Sequence, residues 1–74
     1  MTRILTTDHR HAVNIIQNGH DGDYIAIAEI AGFDSETMSD WGFWFTVGWY
    51  KTVDTAIKWS ARKLKPFNLE LELV

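Results

Sequence analysis

Three histidines and a group of carboxylates lie close together in the chain: His9 and His11, then His20 with Asp21-Gly22-Asp23. Imidazoles at i and i+2 of a strand point to the same side, and a carboxylate can complete a tetrahedral ligand set. The second group, however, sits in turn-forming sequence, and no further tight ligand motif accompanies it. Calcium-loop spacing fails too, because taking Gly22 as the turn glycine places Gln17 and Gly19 where acids belong. The expectation is solvated turn and surface histidines, with no metal and no cofactor.

Nucleophilic chemistry finds no better footing. Ser35, Ser39, Ser60 and the threonines stand outside any G-x-S-x-G elbow, and the chain has no cysteine. Asp21 with Asp23, and Glu70 with Glu72, have the spacing of paired acid and base groups. Alternating acids on an exposed strand serve equally to solvate it. A chain of 74 residues also leaves little room for a concave, water-excluding pocket. The chain is expected not to be an enzyme.

What remains is binding chemistry. Ten aromatics occur, and six of them (Trp41, Phe43, Trp44, Phe45, Trp49, Tyr50) fall within ten consecutive positions. The charges are segregated although the net charge is only −3. From His11 to Tyr50 there is no Lys or Arg, while Asp21, Asp23, Glu29, Asp34, Glu36 and Asp40 all lie there. Lys51, Lys58, Arg62, Lys63 and Lys65 follow against one acid, Asp54. Aromatics on a sheet can stack nucleic-acid bases, but phosphates laid on this cation-free, acidic stretch would be repelled. Direct nucleic-acid binding is therefore disfavoured at the aromatic strand and rests on the basic segment 51–65. Filling a small core accounts for some of the aromatics. The others match the Trp and Tyr enrichment of protein–protein hot spots.

The elements that must position these residues read as follows. Residues 1–7 are a loose lead-in or a short edge segment. His11 to Gln17 alternates weakly, Asn18 to Asp23 carries turn chemistry, and Tyr24 to Ala31 is β-rich, so the pair reads as a hairpin. The rival reading is a helix over 9–17, capped by Thr7 or Asp8 and ended at Gly19. Gly32 to Asp40 is polar and acidic and reads as a surface loop. Gly42 to Thr52 is the strongest strand. Strict alternation puts Phe43, Phe45, Val47 and Trp49 on one face and Trp44, Thr46, Gly48 and Tyr50 on the other. Thr52 is an N-cap with Asp54 in the first turn, and Val53, Ile57, Ser60, Ala61 and Leu64 recur at helical spacing before Pro66 ends the helix. Phe67, Leu69, Leu71 and Leu73 alternate with Asn68, Glu70 and Glu72 as a closing strand. The predicted fold is α+β: a small antiparallel sheet of three to four strands with one helix packed on one face, in the order β-β-β-α-β. Phe43, Phe45, Val47, Leu69 and Leu71 with Ile57, Ala61 and Leu64 form its expected core.

Composition agrees with a single small domain over 1–74. Hydrophobic residues make up 46% and charged residues 23%, an ordinary globular balance. No apolar run approaches the ~20 residues of a membrane span, and Met1-Thr2-Arg3 leads into no signal-like core. The expected location is the cytoplasm of a bacterium or host cell, with no membrane contact.

The aromatic strand Gly42-Phe43-Trp44-Phe45-Thr46-Val47, the capped helix from Lys51-Thr52-Val53-Asp54 to Trp59, and the segment Phe67 to Leu73 together resemble small phage-encoded inhibitors of host machinery. These are RNA polymerase inhibitors and anti-CRISPR proteins, likewise short, cysteine-free and often acidic. A fainter similarity is to the sheet-and-helix half of HicB-type antitoxins, through Thr52 to Ala56. This chain lacks their Pro-Gly segment before the helix and adds the stretch 32–40. The resemblance implies stoichiometric occlusion of a protein partner. From the residues themselves, Trp41, Trp44 and Tyr50 are the expected anchors, and Asp34, Glu36 and Asp40 a rim that steers a basic partner surface. Self-association through the aromatic face or an open edge strand is a further expectation. The alternative is a nucleic-acid-associated or antitoxin-like regulator using Lys58, Arg62, Lys63 and Lys65.

Overall fold

The structure, a computed structural model, describes residues 1–17 and 22–73. Of the turn expected at 18–23, residues 18–21, with His20 and Asp21, lie outside the described residues. Four antiparallel strands follow one another in space as in sequence: β1 (Thr2–Leu5), β2 (Ala12–Gln17), β3 (Tyr24–Asp34) and β4 (Ser39–Tyr50). Then come the helix α1 (Val53–Leu64) and a 3-10 turn at Lys65–Phe67. The molecule is the small α+β fold expected, one open sheet with a helix on one face.

β2 pairs with β3 from Ala12 opposite Glu29 to Gln17 opposite Tyr24, so 12–17 are strand and the helical reading of 9–17 does not hold. The lead-in is ordered as an edge strand, with Leu5 opposite Ala12. Between β1 and β2 the chain reverses around Thr6, a buried residue whose hydroxyl donates to the Asp8 carboxylate, while Arg10 N–H donates to the same oxygen at 3.0 Å. At the other end of the sheet, Thr52 caps α1 as its sequence indicates: its hydroxyl oxygen accepts from Thr55 N–H at 3.2 Å.

Two elements differ from the sequence reading. Residues 32–40 are mostly ladder rather than loop, since β3 and β4 run on to a turn at 35–38. Trp41 spans Gly32, its cross-strand partner, so closely that a Cβ at Gly32 would stand 2.1 Å from the indole. This packing extends the pairing into sequence whose polarity suggests a loop. Asp34 Oδ1 accepts from Glu36 N–H at 2.9 Å and shapes the turn. The closing segment, in turn, is one bridge (Thr6 opposite Leu71) rather than a strand. Pro66 draws Phe67 into the 3-10 turn, Asn68 takes a left-handed conformation (φ 59°), and β1 has only four residues to pair with. Leu69 and Leu71 turn inward as expected, but Phe67 and Leu73 are exposed.

The core sits on β2 and β3 rather than on β4. Ala26 and Ala28 on β3 face Ala56 and Ser60 on α1, and all four are buried. Small side chains on both surfaces let helix and sheet approach closely. Val13, Ile15, Ile30, Leu64 and Leu71 fill the remaining space, with Phe45 and Val47 at its margin. Ala56, which the sequence pattern leaves off the apolar stripe, is at its centre. Phe43 is not core, because its part of β4 has passed beyond the helix and it is half-exposed.

Candidate binding surface

One irregularity decides which aromatics are available. Ala26 pairs with Gly48 and Ile27 with Thr46, so Val47 is an extra residue on β4. A bulge shifts every following side chain to the opposite face. Tyr50 therefore shares the helix side with Phe45 and packs on the core, lying across Gly48. Trp49, opposite Ile25, joins Trp44, opposite Glu29, on the face that carries no helix. The alternation expected from sequence, Trp44 with Tyr50 and Trp49 with Phe45, is thus reversed beyond residue 47. Tyr50, expected as an anchor, is half-buried against the core on the face opposite Trp44.

The helix-free face has a polar centre and an apolar surround. Across the strands lie the rows Ile16–Ile25–Trp49, Arg3–Asn14–Ile27–Thr46 and Leu5–Ala12–Glu29–Trp44. Arg3 Nη1 donates to Asn14 Oδ1 at 3.0 Å and is ion-paired with Glu29, while Asn14 Nδ2 donates to Glu29 Oε2 at 2.8 Å. The Asn14 amide, and after it Arg3, hold the Glu29 carboxyl below the ordinary glutamate value. A shallow groove of about 510 Å3 runs over this triad, walled by Ile16, Ile27, Trp44 and Thr46. Trp44 is 73% exposed and Trp49 55%.

The other expected site residues lie elsewhere. Trp41 is on the helix side, stacked on Phe43 with centroids 6.2 Å apart and planes 8° from parallel. Asp34, Glu36 and Asp40 cluster at the tip of the β3–β4 hairpin and carry no ion pair among the described residues, whereas Asp23 holds Lys51 at 2.8 Å. The rim and Trp41 are thus brought together at the tip, while Trp44, four residues beyond Asp40 along β4, shares the helix-free face with it and projects from the face opposite Trp41.

Compared with known proteins, the chain matches no family model, no curated protein and no solved structure.

The remaining candidates serve local structure. His9 bonds Glu72 through Nε2 at 2.5 Å, and His11 Nδ1 accepts from Ala31 N–H at 3.0 Å, so the two imidazoles do not converge. Among the described residues no three potential ligands gather around one point. Asp8 is lowered below the ordinary aspartate value chiefly by the Thr6 hydroxyl, then by Arg10 N–H. Lys58, Arg62, Lys63 and Lys65 are all exposed, and the Arg62 guanidinium lies 5.0 Å over the Trp59 ring. No helix among the described residues is long and apolar enough to cross a membrane. Sequence reasoning passed over Arg3, Asn14, Glu29 and Trp49. The signal for Trp49 was Gly48, since a glycine inside a strand marks a bulge.

Proposed function

We propose that the protein is a non-enzymatic binding module that occludes a protein partner stoichiometrically, in the manner of the small phage or bacterial inhibitors it resembles. The observation that carries this reading is the uncovered sheet face, where Trp44 stands exposed beside the Arg3–Asn14–Glu29 triad and Trp49 is exposed further along β4. Large, rigid aromatics flanking a satisfied polar centre are the composition of an interface hot spot. The hydrogen bonds within the triad fix its geometry before a partner arrives, which lowers the ordering cost of binding. The unpaired acids at the hairpin tip favour a partner with a basic surface and speed its approach.

The exposed cations of α1 favour a second reading, a nucleic-acid-associated regulator that binds phosphate through the outer face of the helix. The two readings separate in one experiment. Wild type and the Trp44→Ala/Trp49→Ala double variant are used as baits in bacterial lysate, nuclease-treated or not, and washed at low and high salt. Under the first reading a protein is retained stoichiometrically through nuclease and high salt and is lost by the double variant. Retention that vanishes with nuclease or salt and ignores the tryptophans refutes it in favour of the helix.

A further inference from the structure

β4 is an outer strand of the sheet, and among the described residues its only backbone partner is β3. It is 12 residues long and contains no proline, lysine or arginine, the residues that ordinarily blunt such an edge. Its two halves differ. Phe45, Val47 and Tyr50 pack on the core beneath α1, and Phe67 closes over Phe45 with centroids 6.3 Å apart. Residues 39–44 run on past the helix, and there Trp41 and Phe43, each 48% exposed, form a stacked pair on the helix side with no helix above them.

We propose that this edge pairs antiparallel with the same edge of a second copy, about a two-fold axis near Phe45, so that one sheet runs through both molecules. Shape argues for a second copy. Antiparallel pairing sets the bare half of each β4 beside the helix-covered half of the other, so Trp41 and Phe43 of each copy meet the flank of the other's α1. The lengths agree: a helix of 12 residues spans about 18 Å, and six strand residues span about 20 Å. Charge argues for the direction: parallel pairing would set the two acidic tips, with Asp34, Glu36 and Asp40, side by side, whereas a two-fold axis near Phe45 sends them to opposite ends of the dimer. Trp44 and Trp49 project from the opposite face and stay free for a different partner.

Sedimentation equilibrium from micromolar to submillimolar concentration tests this. The expected mass at the upper end is twice the monomer's 8.5 kDa. Phe43→Lys, which puts a charge beneath the other copy's helix, should return the monomer with its circular dichroism intact. Amide exchange on the wild type supplies a readout independent of any variant: outer-edge amides of β4 should slow as concentration rises. A monomer at every concentration overturns the proposal. So does a dimer that survives Phe43→Lys but is broken by Trp44→Lys, or one whose β4 amides exchange as they do in the monomer.

Discussion

Trp44→Ala and Tyr50→Ala are the same kind of truncation on one strand, and the bulge at Val47 makes their consequences differ. Tyr50 packs on the core and lies across Gly48, where a Cβ would stand 2.6 Å from its hydroxyl oxygen. With about 150 Å2 of its side chain withdrawn from water, at roughly 25 cal/mol per Å2, its removal costs about 4 kcal/mol. In a chain this short that lowers the melting midpoint by about 15–30 °C. Trp44 is 73% exposed, so only about 60 Å2 of a ~250 Å2 side chain is at stake. The same coefficient gives about 1.5 kcal/mol as an upper limit, hence a drop of no more than about 12 °C. Thermal melts followed by far-UV circular dichroism, at concentrations low enough to keep the chain monomeric, measure both. Equal drops, or a larger one for Trp44→Ala, would refute the bulge assignment and with it the choice of Trp44 and Trp49 as the free aromatics.

Two further outcomes follow from buried or bonded polar groups. The Ser60 hydroxyl is buried and has no hydrogen-bond partner among the described residues, so Ser60→Ala should raise the stability measured by urea unfolding, by about 1 kcal/mol. Glu29 is lowered below its ordinary value, so its contribution is fully present above the unfolded glutamate pKa and is lost as pH falls through the lower folded value. Between about pH 5 and pH 3, wild type should therefore lose more of its melting midpoint than Glu29→Gln, and parallel curves would show that the triad contributes nothing to stability.

The parts legible in the sequence are those fixed by local chemistry. Thr52 followed by Asp54, the apolar spacing to Leu64 and the stop at Pro66 each act within a few residues, and the helix begins and ends where they say. The β2–β3 hairpin was legible for the same reason. The rest depended on partners distant in sequence. Trp49 and Tyr50 exchanged faces because one extra residue at Val47 resets the alternation, and only Gly48 hints at it. The polar stretch 32–40 became ladder because Trp41 spans Gly32 across the hairpin. Phe67 to Leu73 has the period of a strand, yet it finds a single bridge, to Thr6 just past the end of β1. Arg3, Asn14 and Glu29 come from three strands, and nothing local to any of them announces the triad.

The segment after Pro66 returns to the start of the sheet: Thr7 N–H donates to Glu70 C=O and Glu72 N–H to Leu5 C=O, both at 2.8 Å, with His9 on Glu72 beside them. Every strand pairing joins neighbours in the chain, so the sheet assembles hairpin by hairpin with short loops to close. Among the described residues this clasp alone joins backbone more than sixty positions apart, so it closes the longest loop in the fold. A contact that forms after the folding barrier acts on the rate of escape from the native state rather than the rate of entry. The clasp is thus expected to act as a kinetic latch: His9→Ala, which removes the contact to Glu72, should raise the unfolding rate in stopped-flow and leave the folding rate unchanged.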